Sequence, residues 1–177
     1  MAPPPSVQYV NMLDRPTAVW KLMTEAERLE ASLAFWADEE SAPLHAEAVH
    51  LIAGRMKFRA RSVLELSLDR KARYLASLAR SFDSIAGRAL VAFHLTARRS
   101  MMAAFLDALG VVHENGLITA DPLVLPAADR VKQAVFDLAS AYPPREVALY
   151  LSTLATQDPD TWGQVADLGP ARLDPRA

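Results

Sequence analysis

The chain has 177 residues, 51% of them hydrophobic and 23% charged, with a formal net charge of −2 and no cysteine. This is globular composition at a length that buries a core without staples. The missing cysteine excludes disulfides, thiolate metal sites and cysteine nucleophiles, and it agrees with a reducing compartment.

Met1 to Val10 carries neither a basic region nor an apolar run, so no signal peptide is expected. Ala2-Pro3-Pro4-Pro5 cannot build a helix and reads as an extended tail over residues 1–12. One helical domain is expected over 13–168. Gly169-Pro170 then opens a second tail, 169–177.

Asp14-Arg15-Pro16 places proline in the first turn of a short helix. Thr24-Glu25-Ala26-Glu27 is a capping box and launches a helix to about Asp38, with Leu29, Leu33, Phe35 and Trp36 as its apolar content. Ser41-Ala42-Pro43 starts another, with Ala46, Val49, Ile52 and Ala53 at helical spacing. From Arg55 to Asp69, Met56, Phe58, Ala60, Leu64, Leu66 and Leu68 fall on even positions, which is strand periodicity. A long strand has no evident partner here and only Val63 is β-branched, so a helix broken near Ser62 is expected.

A helix from about Asp69 to Arg80 follows, and Asp83 is the expected N-cap of the next. That next helix runs from Ser84 to Leu109, with Ala86, Leu90, Phe93, Ala97, Met101 and Ala104 on one face. Met102, Phe105, Leu106 and Leu109 widen the apolar face in its second half, as in a central helix. Gly110 is its stop. Asn115-Gly116 between Val111-Val112 and Leu117-Ile118 suits either a small hairpin or a plain loop. Pro126 opens a helix to about Ala141, Pro143-Pro144 breaks it, a helix runs from Arg145 to about Ala155, and Asp158-Pro159 caps a last one through Trp162 to Leu168.

The expected fold is therefore all-α: seven or eight helices in a bundle or in two stacked helical hairpins. Arg88 to Phe93 and Arg145 to Tyr150 resemble each other faintly, and Ala108-Leu109-Gly110 echoes Asp167-Leu168-Gly169, which raises an internal duplication as an option. Ile85 to Leu109 is the most apolar stretch. Arg88, His94, Arg98 and Arg99 within it argue against a membrane span, so the expected setting is cytoplasmic with no membrane contact.

The charge is unevenly spread. Residues 1–54 carry 3 basic and 8 acidic residues, 55–99 carry 11 and 3, and 100–177 carry 5 and 10. A basic middle between acidic ends either neutralises them internally or binds an anionic partner. Arg55, Lys57, Arg59 and Arg61, with Phe58 among them, are the densest candidates for such binding. Arg88, His94, Arg98 and Arg99 form a second cluster that could hold a phosphate or carboxylate, or could pair with acids such as Asp107 or Asp137.

Glu47-Ala-Val-His50 has the Glu-x-x-His spacing of di-iron bundles, but no second copy exists. No His-x-x-x-His pair occurs among His45, His50, His94 and His113. No Gly-x-Ser-x-Gly, Gly-x-Gly-x-x-Gly or phosphate-binding loop occurs either. No cofactor and no catalytic residue is expected. Met101 and Met102 are adjacent, so one is expected to face outward, a hint of self-association. The leading reading is a non-enzymatic helical module that binds a protein partner or itself. Anion or nucleic-acid binding through 55–99 is second, and a metal-dependent role for Glu47 and His50 third.

Overall fold

The computed structural model describes residues 14–78 and 82–174. The fold is all-α, with ten α-helices and one two-strand hairpin among the described residues. The expected tail over 1–12 lies outside them.

Helices α1 (Pro16–Leu22) and α2 (Glu25–Ala37) begin as their sequences dictate, on Pro16 and on the Thr24 box. The Glu27 amide donates to Thr24 Oγ1 at 3.2 Å, and Glu27 Oε2 accepts from the Thr24 amide at 2.8 Å. A 3-10 turn, Glu39–Ser41, leads into α3 (Ala42–Met56). Lys57 ends α3 in the left-handed conformation at φ 56°, and the Phe58 amide closes on Ala53 O at 2.9 Å. Next come α4 (Ala60–Leu64) and α5 (Leu68–Ser77), the latter capped by Ser67.

The stretch 55–69 is thus helical, but its breaks fall at 57–59 and 65–67, while Ser62 lies inside α4. The alternation of the sequence does not follow burial: Val63 is buried, whereas Leu64 and Leu68 face solvent.

The long central helix is two helices. α6 (Asp83–Ala97) and α7 (Arg99–Leu109) meet at Arg98, whose φ of −124° and ψ of 20° are not helical. Ala97 and Ala104, expected on the shared apolar face, are exposed. Asp83 is the first helical residue rather than the cap. Its Oδ1 accepts instead from the amide and hydroxyl of Thr17, which ties α6 to α1.

Gly110 stops α7 at φ 69°. The hairpin reading holds: β1 (His113–Glu114) and β2 (Leu117–Ile118) pair antiparallel through a turn with Asn115 at φ 47° and Gly116 at φ 87°. α8 (Ala128–Ala141), α9 (Pro144–Gln157) and α10 (Pro159–Ala166) complete the helices, α10 capped by Asp158. The stretch from Gly169, expected as a tail, packs over its described part. Gly169–Ala171 forms a 3-10 turn, Ala171 is buried, and Ser152 Oγ donates to Ala171 O at 3.2 Å.

Two apolar cores result. α1, α2, α3, α5 and α6 bury Trp20, Phe35, Ile52, Leu75 and Phe93 in the first. α7, α8, α9 and α10 bury Met101, Phe105, Val135, Leu151 and Trp162 in the second. Each such side chain contributes about 1.5–3 kcal/mol. Met102 is buried beside Met101, so neither faces outward. α9 is buried continuously from Val147 to Thr156 and serves both cores, Leu149 facing the first and Tyr150 the second. No described helix is long and apolar enough to cross a membrane.

Candidate functional site

Of the basic run, Arg55 ends α3, Lys57 and Arg59 lie in the turn after it and Arg61 lies on α4, while Arg70, Lys71 and Arg73 follow on α5. Because Lys57 is left-handed, the chain reverses there and carries Phe58 back against α5. Phe58 and Tyr74 meet edge to face, with ring centroids 5.4 Å apart. That contact joins the 57–59 turn to α5. Ala72, Leu75 and Ala76 are the buried side of α5, so Arg70 and Arg73 point outward.

Residues 55–73 hold seven cations and two acids. Both acids are already used within their own helical turns: Arg61 Nε lies 3.0 Å from Glu65, and Arg73 Nε 2.8 Å from Asp69. Lys71 Nζ stands 5.2 Å from the centre of the Trp36 ring. Arg55, Lys57, Arg59 and Arg70 are exposed, and no carboxylate of the described residues forms an ion pair with them. Three large apolar side chains stand in the same segment: Phe58 is 39% exposed, Leu68 45% and Leu64 61%. Among the described residues, exposed cations with no carboxylate partner and exposed apolar side chains thus occur in one segment.

The second expected cluster is not brought together. Arg88 Nη2 and Nε contact Asp38 Oδ2 at 2.6 and 3.1 Å, and Nε also donates to Ser41 Oγ. Arg98 pairs with Glu30 at 2.8 Å and lies 3.7 Å over the Phe93 ring. Arg99 donates to Leu95 O and Asn115 O. The acids named from sequence are engaged elsewhere: Asp107 with His113, and Asp137 with Gln133. His94 is fully buried. Burial, with the nearby Arg98 charge, pushes its pKa down to about 3, so it is neutral and contributes no positive charge.

Glu47 and His50 are both exposed on α3, and Glu47 accepts a 3.4 Å hydrogen bond from Ser84. Of the acids on α2, Glu27 is held by Arg145 and Glu30 by Arg98. No group of three or more metal-ligating side chains comes together among the described residues.

The sequence reading missed Arg70, Leu64 and Leu68 as members of the basic surface. The signal for Arg70 was present, since it lies opposite the buried Ala72–Ala76 face of α5. The exposure of the two leucines carried no local signal. The chain matches no family model, no curated protein and no solved structure.

Proposed function

We propose that the chain is a non-enzymatic binding module whose α3–α5 surface docks an acidic segment of a protein partner. One observation carries this reading: among the described residues, Arg55, Lys57, Arg59 and Arg70 have no carboxylate partner, and Leu64 and Leu68 are exposed in the same segment. A phosphate backbone would use the cations but leaves exposed leucines without a role. An amphipathic partner helix with acidic and apolar residues uses both. The cations steer encounter and the leucines hold the complex.

The test is titration with a designed Glu/Leu amphipathic peptide, run beside a DNA duplex and anionic vesicles. Peptide binding lost in the double variant Lys57→Glu/Arg59→Glu, and weakened about tenfold or more in Leu64→Ser/Leu68→Ser, supports the reading. Binding of DNA or vesicles that falls steeply with salt and ignores the leucine substitutions replaces it with the anion-binding reading. Sedimentation of the unliganded chain separates a second copy of itself from a foreign partner.

A further inference from the structure

Ser84, Arg88, Val91 and Leu95 recur at helical spacing along one side of α6, and Leu154 and Gln157 along one side of α9. Two cavities lie against these residues. The first, of about 340 Å³, is bounded also by the hairpin and α10, and its wall is mostly apolar, with Leu95, Leu117, Leu154 and Trp162 in it. The second, of about 480 Å³, includes the polar residues Asp83, Ser84 and Thr156. Arg88, Val91 and Gln157 belong to both walls, so the two cavities adjoin as one cleft. Each volume falls within the range of small-molecule sites, about 300–1,000 Å³.

Two of the three shared residues are polar. Arg88 spends Nε and Nη2 on Asp38 and Ser41. Its Nη1 has no hydrogen-bond partner among the described residues and is not sealed from solvent, and the side chain is 25% exposed. Gln157 is exposed and donates to Gly87 O at 3.3 Å. A carbonyl only accepts, so the bonded atom is the Gln157 nitrogen, and Oε1 is the end left without a partner among the described residues. Where the cavities adjoin, the wall therefore offers a donor from Arg88 and an acceptor from Gln157.

We propose that this cleft binds an elongated, uncharged small molecule whose apolar body lies in the first cavity and whose carboxamide end lies at Arg88 and Gln157. An amide carries both the acceptor and the donor that these residues call for. A carboxylate end would meet Asp158 in the first wall, Asp83 in the second and Asp38 on Arg88, three acids against one guanidinium. An ammonium end would face that guanidinium, and either charge would lose water beside an apolar wall. None of residues 55–73 lines the cleft, so this site stands apart from the basic surface.

The experiment is calorimetric titration of the full chain at neutral pH with 6-phenylhexanamide, and with the acid and the amine of matching skeleton, 6-phenylhexanoate and 6-phenylhexylamine. The amide is expected to saturate one site per chain, and both charged compounds to bind about tenfold more weakly or worse. Val91→Trp fills the wall that both cavities share and is expected to weaken amide binding about tenfold or more, with helix content by circular dichroism unchanged. No saturable amide binding, an acid or amine that binds as tightly as the amide, or full amide affinity in a folded Val91→Trp variant would each overturn the assignment. If Val91→Trp does not fold, the comparison of the three compounds on the wild-type chain decides.

Discussion

Arg145 at the start of α9 grips Glu27 in the first turn of α2 with two hydrogen bonds, Nε to Oε1 at 2.6 Å and Nη2 to Oε2 at 2.8 Å. Oε2 is the same oxygen that closes the Thr24 capping box. A third bond runs from Arg145 Nη2 to Leu22 O at 2.9 Å, the last residue of α1. One guanidinium thereby fixes the end of α1, the start of α2 and the start of α9.

Glu27→Gln keeps the size of the side chain but removes the charge that Arg145 needs. The loss is expected to be about 2 kcal/mol at neutral pH, the range of a hydrogen bond to a charged group. Burial opposes ionisation of Glu27, but the Arg145 and Thr24 contacts outweigh it and hold its carboxyl below the ordinary value. Its contribution is therefore fully present above the unfolded carboxyl range and fades as pH falls through the lower folded value. Urea unfolding should show the wild-type advantage over the variant shrinking below about pH 4.

His94 acts at higher pH. Its folded value is depressed to about 3 by burial and by Arg98, whereas an unfolded histidine titrates near 6.5. The unfolded chain takes up a proton first, so stability present above pH 6.5 is lost as pH falls towards 3. Between pH 7.5 and pH 5 the loss is about 2 kcal/mol, at about 1.4 kcal/mol per unit below the unfolded value. In His94→Gln this part of the slope should vanish. A variant with the wild-type slope would place the titration on another group.

Gly116 and Gly110 both have positive φ, but only Gly116 is crowded. A Cβ there would lie 2.9 Å from Met102 Cβ and 3.1 Å from Arg99 O, whereas at Gly110 it would meet only Arg130 Nη2, at 3.7 Å. Gly110→Ala is expected to cost about 1 kcal/mol for its backbone conformation. Gly116→Ala adds a clash with backbone and should cost about 2–3 kcal/mol, shown as a clearly larger drop in melting temperature.

Arg98 carries two separable roles. It pairs with Glu30 and covers Phe93, and its charge also disfavours protonation of His94. Arg98→Met keeps the apolar cover and removes the charge. The expected result is a rise in the His94 pKa, read by NMR titration of its ring protons, with stability lowered by about 1–3 kcal/mol.

What was legible in the sequence was local. The Thr24 box, Pro16, Gly110, the Asn115-Gly116 turn and the Asp158 cap act within a few residues and could be read directly. The break at Arg98 could not, because no proline or glycine marks it and the apolar pattern continues across it. Its guanidinium is drawn towards Glu30 and Glu146, which come from α2 and α9. The same distance effect hid the fate of the cations. Arg88, Arg98 and Arg99 find partners on other segments and Arg61 and Arg73 within their own turns, which leaves Arg55, Lys57, Arg59 and Arg70 as the exposed cations of 55–99 with no carboxylate partner among the described residues. The cleft was equally invisible, since Arg88 and Gln157 come to one wall only when α6 packs on α9.

The shared burial of α9 has a consequence for how the molecule comes apart. Two cores would ordinarily melt as two events, one for each half of the chain. Here neither half can release its side of α9 without stripping cover from the other, and Arg145 ties the head of that helix to α2. Unfolding by heat or urea should follow one transition, with the amides of 147–156 exchanging with solvent only through opening of the whole molecule.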